Sequence, residues 1–169
     1  MKKIFVCFAA LAAMVFIVGC GGGSSNDENN DITCTVVADK TWTDIAKSMM
    51  TWEEAKDYCS NLTACGYSDW HLPTISELRS LIQNCPATQT GGECRVTDSC
   101  LSWSDCRNSA CLGCNSDSSG KYSKLGDTGW FLSSSVPSEY SEFAWRVGFD
   151  RGRVSHYRKS YDSYVRCVR

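Results

Sequence analysis

Histidine is scarce in this chain: His71 and His156 are the only two in 169 residues. Neither sits in a recognisable nucleophile, metal or acid–base constellation, which argues against most histidine-driven chemistry. No glycine-rich loop of the phosphate-cradling kind is present. No internal repeat is visible, so a solenoid or array is excluded. The apolar run from Ile4 to Val18 spans fifteen residues. That is short of the roughly 20 residues a membrane-crossing helix requires. An enzyme is therefore not expected, nor a polytopic membrane protein.

What the N-terminus does carry is an export signal. Lys2 and Lys3 form a positive n-region, and Ile4–Val18 is the apolar h-region. Ile17-Val18-Gly19-Cys20 resembles the lipobox of bacterial lipoproteins. The resemblance implies cleavage before Cys20 and a lipid on its thiol. Stable anchoring generally takes more than one acyl chain, at about 0.8 kcal/mol per buried methylene. By the same resemblance, Gly21 rather than aspartate after the cysteine implies the outer membrane or cell surface as the location. Residues 21–31 read GGGSSNDENND, with no apolar side chain, the composition of a flexible tether. The expected organisation is a signal peptide over 1–19, a lipidated tether over 20–31 and one domain over 32–169.

Twelve cysteines, less Cys7 in the signal and Cys20 at the anchor, leave ten in that domain: Cys34, Cys59, Cys65, Cys85, Cys94, Cys100, Cys106, Cys111, Cys114 and Cys167. An even count in an exported chain points to disulfides. Cys111-Leu112-Gly113-Cys114 with Cys100 and Cys106 upstream is the alternative, a four-thiolate zinc site. Without a second C-x-x-C or a nearby histidine, disulfides are the stronger reading. Neither metal nor cofactor is expected. Asn115–Gly120 opens like a calcium loop, but Gly126 stands where the closing glutamate is needed.

Two helices are marked by their caps. Thr51-Trp52-Glu53-Glu54 and Thr74-Ile75-Ser76-Glu77 both have the form of a capping box. Trp52, Ala55, Cys59 and Leu62 share one face of the first helix, over about 51–62. Ile75, Leu78, Leu81 and Ile82 share one face of the second, over about 74–84. Between them, Asp69 and His71 flank Trp70; a dyad is conceivable, but a turn around a core tryptophan is the simpler reading. Residues 85–128 hold six cysteines and little apolar periodicity, and read as a long loop region stapled by its own disulfides. From Gly129 the pattern is β: a strand at Trp130–Leu132 and another over Phe143–Phe149, with Trp145, Val147 and Phe149 on one face. A turn at Asp150–Arg153 leads to a return strand over Val154–Arg158. A final strand is expected over Tyr164–Arg169, with Val165 and Cys167 inward and Arg166 outward.

These blocks resemble the Lcl C-terminal domain family, named for the Legionella collagen-like adhesin. The match runs through Thr51-Trp52-Glu53-Glu54-Ala55 with Tyr58-Cys59 and Leu62. It continues through Gly66-Tyr67-Ser68-Asp69-Trp70-His71-Leu72-Pro73-Thr74 with Glu77-Leu78 and Leu81. It closes on Ala144-Trp145 with Val147, Phe149, Gly152 and Tyr164–Arg169. His71 departs from the family's usual arginine, and the cysteine-rich stretch 85–114 is a local elaboration. The resemblance implies an α+β fold of C-type lectin-like type: two helices packed on a small twisted antiparallel sheet, with a long disulfide-stapled loop region. It also implies a bridge between the first helix and the last strand, which here would be Cys59–Cys167. The Glu-Pro-Asn and Trp-Asn-Asp tripeptides of calcium-dependent lectins are absent. Formylglycine-generating enzymes share the general fold and end on a similar strand.

Charge divides unevenly. Without Lys2 and Lys3 the chain has fifteen basic and nineteen acidic side chains, net −4. Residues 144–169 hold seven basic and two acidic ones, net +5, which leaves −9 for residues 20–143. Arg146, Arg151, Arg153, Arg158 and Lys159 are thus candidate ligand-binding residues for an anionic partner, or solvated strand residues balancing an acidic remainder. Nucleic acid is not expected for an exported lipoprotein. The resulting expectation is a non-enzymatic, surface-anchored binding or adhesion module, its partners a membrane through the lipid and an anionic glycan or protein. The alternatives are a structural envelope lipoprotein without a ligand and a distant relative of the formylglycine-generating enzymes.

Overall fold

The computed structural model describes residues 32–169. The expected signal peptide over 1–19, the expected lipidation site Cys20 and the expected tether over 21–31 lie outside the described residues. No helix among those described is long and apolar enough to cross a membrane.

The fold is α+β. Strand β1 (Cys34–Val37) pairs antiparallel with β2 (Lys40–Thr43). The two residues between them, Ala38 and Asp39, both have positive φ, 53° and 60°. A two-residue hairpin requires that backbone. Asn-Gly would have announced it; Ala-Asp does not, and no element was expected before residue 51.

Helix α1 (Trp52–Ser60) and helix α2 (Ile75–Ser80) begin where their caps place them. The Thr51 backbone N–H donates to Glu54 Oε2 at 2.9 Å and the Thr74 N–H to Glu77 Oε2 at 2.8 Å. Each bond satisfies a donor that a helix start leaves without an intrahelical partner. Trp52, Ala55, Cys59 and Leu62 enter one core cluster with Trp70, Leu72, Leu132, Val165 and Cys167. Ile75, Leu78, Leu81 and Ile82 enter a second one with Trp42, Phe131, Trp145, Val147 and Val154.

Strands β3 (Trp130–Leu132), β4 (Phe143–Gly148) and β5 (Arg153–Arg158) form an antiparallel sheet in that order. Trp145 and Val147 are fully buried on one face. Ala144 and Gly148, on the other, are buried as well, so β4 is covered on both sides for most of its length.

The C-terminal segment differs from expectation. It is not one continuous strand. Tyr164 pairs parallel with Phe131 of β3, and Val168 then bridges both Trp42 of β2 and His71. The segment passes from the three-stranded sheet to the hairpin. Arg166 correspondingly faces in rather than out: it is 8% exposed. Its Nε donates to both Asp127 carboxylate oxygens, at 3.2 and 3.0 Å, and its Nη2 donates to Oδ1 at 2.6 Å. Its Nη1 reaches the Thr43 carbonyl. Alternation fails here because the segment has protein on both sides.

The ten cysteines form five bridges: Cys34–Cys65, Cys59–Cys167, Cys85–Cys114, Cys94–Cys111 and Cys100–Cys106. The last three are nested, each inside the one before. Two short turns lie within the nest: α3 (Trp103–Cys106) and a 3-10 turn over Ser109–Leu112. Arg79 of α2 is buried and ties down the outer part of this region. It donates to the carbonyls of Thr88 at 2.9 Å, Gln89 at 3.0 Å and, more closely, Val96. No carboxylate neutralises it among the described residues, and burial lowers its pKa.

Candidate functional site

The five basic side chains singled out from the sequence do not gather in one place. Pairing in the sheet aligns Arg146 with Leu132 on one side and Ser155 on the other, and Gly148 with Trp130 and Arg153. Because side chains alternate between faces, Arg146, Arg153, Trp130 and Tyr157 share one face. Arg158, paired with Phe143, is on the opposite one, 5.5 Å from the Phe143 ring centroid. Lys159 lies over the Trp52 ring at 3.9 Å. Arg151 sits in the β4–β5 turn beside Asp150, at 3.9 Å. The structure thus brings together Arg146 and Arg153 and distributes the other three.

On that face, the Arg146 guanidinium lies 4.0 Å from the ring centroids of both Trp130 and Tyr157. Arg153 is 5.6 Å from Trp130, and Tyr161 is 5.0 Å from Tyr157. The result is a row in which Tyr157, Arg146, Trp130 and Arg153 alternate ring and guanidinium, with Tyr161 packed on its tyrosine end. Gly148 makes room for it, since a Cβ there would meet the Trp130 indole at 3.1 Å. Cation–π contact contributes about 0.5–2 kcal/mol per pair and fixes the arginine's orientation. Arg146 Nε and Arg153 Nε are buried without a hydrogen-bond partner, and neither side chain has a carboxylate partner among the described residues. Burial lowers Arg146 to about 10, and the neighbouring Arg153 charge acts in the same direction. At neutral pH it still carries its proton. Two adjacent, uncompensated guanidinium groups on rigid strands are donors for an anion.

The opposite face of β5 carries His156. Its ring stacks on Trp103 at 3.8 Å and on Phe143 at 4.7 Å, and its Nδ1 is buried without a partner. Burial and the charges of Arg107 and Arg146 lower its pKa, against the opposing effect of Glu139. Glu139 accepts from the Ser102 hydroxyl and from the backbone N–H groups of Trp103 at 2.8 Å and Ser104 at 3.3 Å. Those bonds lower its pKa to about 2. Glu139 therefore clamps the loop after β3 to the disulfide nest, and His156 is packed where the two meet.

Asp69 and His71 do not form a dyad. Asp69 pairs with Arg169 at 2.6 Å, and His71 pairs with Glu77 at 3.0 Å. Burial pushes Glu77 up, but bonds from His71, Lys40 and Thr74 outweigh it and hold the carboxyl at about 2. Cys100, Cys106, Cys111 and Cys114 are each in a disulfide, so the four-thiolate zinc reading is replaced. Cys111 and Cys114 bond different partners. Trp130, Tyr157 and Tyr161 are the site residues that sequence reasoning passed over. The signal was available only for Trp130 and Tyr157, through strand alternation, and it required the register.

The Lcl C-terminal domain family model matches residues 27–169. The chain belongs to the Lcl C-terminal domain family. The match includes every element described above. No match was found among curated protein sequences. Membership in the Lcl C-terminal domain family points to an adhesin-like module.

Proposed function

We propose that this Lcl C-terminal domain is a non-enzymatic binding module, anchored to the bacterial outer membrane or cell surface by a lipid on Cys20. Its ligand is an anionic glycan or another envelope polyanion. The observation that carries this reading is the Arg146–Arg153 pair, uncompensated and held by Trp130 and Tyr157 on one sheet face. A carboxylate, sulfate or phosphate would supply the acceptors these groups lack. The architecture we assign is C-type lectin-like. Two capped helices, a small antiparallel sheet, the long loop region between them and the Cys59–Cys167 bridge from first helix to last segment all support it. Arg146 and Arg153 replace the calcium carboxylates of sugar-binding lectins as the recognition chemistry, so binding is independent of calcium.

The test is binding of dextran sulfate to immobilised protein. Arg146→Ala with Arg153→Ala is expected to weaken binding at least tenfold, about 1.4 kcal/mol or more. Wild-type affinity should fall as salt rises, because exposed charges are screened over about 8 Å at physiological ionic strength. Unchanged binding by the double variant would sink the assignment. Calcium chelation should leave the wild type unaffected.

A further inference from the structure

An open groove runs along α1 and shares no residue with the arginine row. Glu54, Tyr58 and Asn61 follow at i, i+4 and i+7, next to the buried stripe of Ala55, Cys59 and Leu62. The segment leading into α1 faces them. It is held in place by Met50, whose backbone exchanges two hydrogen bonds with Ser163, at 3.1 and 3.0 Å. Between the two runs an open groove of about 580 Å³. Met49, Met50, Tyr58 and Leu62 give it an apolar lining, and Glu54 and Asp57 line it with carboxylates. Met49 is 51% exposed, so its side chain is accessible at the wall of the groove.

The charges in the groove are not neutralised. Glu54 uses Oε2 to accept from Thr51, and its Oε1 has no partner among the described residues. The Asp57 carboxylate has none there either; only its backbone carbonyl is engaged. No lysine or arginine lines the groove. The nearest basic residue on the helix, Lys56, is committed to Glu53 and to the Trp52 ring. Methionine side chains adapt to varied apolar shapes, and a volume in the 300–1,000 Å³ range suits a short ligand.

We propose that this groove docks a short cationic, amphipathic peptide segment of another protein. Its apolar side chains lie against Met49, Met50, Tyr58 and Leu62, and its lysine or arginine side chains pair with Glu54 and Asp57. The domain then has two recognition surfaces of opposite sign, one taking an anion and the other a cationic peptide.

The probe is a fluorescein-labelled Lys-Leu-Lys-Leu-Lys amide, titrated with the full chain and followed by fluorescence anisotropy. Glu54→Gln with Asp57→Asn removes both charges while glutamine keeps the capping bond to Thr51. The expected result is saturable binding by the wild type and at least tenfold weaker binding by the double variant, with dextran sulfate binding unchanged. Asp57→Lys, a change at an exposed side chain without partners, is the second variant and should abolish peptide binding. Peroxide oxidation of Met49 should slow when the peptide is bound. Equal peptide affinity in wild type and both variants overturns the proposal. So does concentration-dependent self-association of the wild type that the double variant loses, because the groove would then belong to a second copy of the chain. Arg146→Ala with Arg153→Ala leaves peptide binding intact if the two surfaces are separate.

Discussion

The helical stretch from Thr51 to Ile82 and the loop region from Cys85 to Cys114 are about equal in length and are held together in different ways. The first is ordered internally by noncovalent rules that repeat: a capping box, an apolar stripe at helical spacing and a tryptophan buried between the helices, while its two cysteines, Cys59 and Cys65, bond outward to Cys167 and Cys34 and close no loop within it. The second has little regular structure and closes on three nested disulfides and one buried arginine. Where the apolar periodicity is too sparse to order a segment, crosslinks restrict its unfolded ensemble instead. Even so, the loop region is not all surface: Thr88 and Val96 are fully buried between its cysteines.

The largest expected effect breaks the bridge that joins the helical stretch to the chain end. Cys59→Ala with Cys167→Ala opens a loop of sequence separation 108. On the chain-entropy model that loses roughly 4.7 kcal/mol, a large part of the 5–15 kcal/mol typical of a domain. Thermal unfolding under non-reducing conditions should show a steep fall in Tm; a shift of only a few degrees would show that noncovalent packing already closes the domain.

Next in size is the arginine that serves both regions. Arg79→Met keeps the volume in α2 and leaves the carbonyls of Thr88, Gln89 and Val96 without their donor. Each unsatisfied buried group costs about 1–3 kcal/mol, and with partial relaxation we expect about 3 kcal/mol in all. Hydrogen exchange locates the damage: protection should fall over 86–97 first. Loss confined to α2 would mean the disulfides alone order the loop.

Acid should act with the same sign, at different pH, on the helical stretch through Glu77 and on the edge of the loop region through His156 of β5, which packs on Trp103. The Glu77 carboxyl is lowered to about 2 from the ordinary glutamate value of 4.5. A depressed acid contributes stability above its unfolded pKa and loses it as pH falls. Between about pH 5 and 2 the loss should reach about 1–2 kcal/mol, discounted because Lys40 and His71 are partly exposed. Glu77→Gln should flatten that limb of the pH–stability curve. His156 is depressed too, by burial first. The unfolded chain binds that proton more readily, so stability falls below about pH 6.5. His156→Phe should remove this earlier limb. Retention of both limbs in the two variants would refute the linkage.

The smallest effect concerns the hairpin that no motif announced. Ala38 occupies φ 53°, where a Cβ costs about 1–2 kcal/mol. Ala38→Gly should stabilise by about 1 kcal/mol, offset in part by the greater backbone entropy of glycine in the unfolded chain. A chemical denaturation midpoint that moves down instead would show that the turn is held elsewhere.

Local chemistry in the sequence by itself determined where the helices start, which of their faces are buried, where β3, β4 and β5 run and which ten cysteines pair within the folded domain. Each depends on residues within a turn or two of one another: threonine and glutamate three apart at a cap, apolar residues at helical or alternating spacing. The final segment shows where that logic stops. Val165-Arg166-Cys167 alternates as a half-exposed strand should, and Arg166 is nonetheless buried against Asp127, thirty-nine residues earlier, because the segment passes between two sheets. The arginine row is the same case. Composition placed seven basic side chains in the last twenty-six residues, but only strand register put Arg146 between Trp130 and Tyr157 and turned Arg158 to the other face. Register is set by contacts between distant strands, and a shift of one residue would exchange the two faces. The groove along α1 likewise needed the pairing of Met50 with Ser163 to bring its second wall alongside the helix.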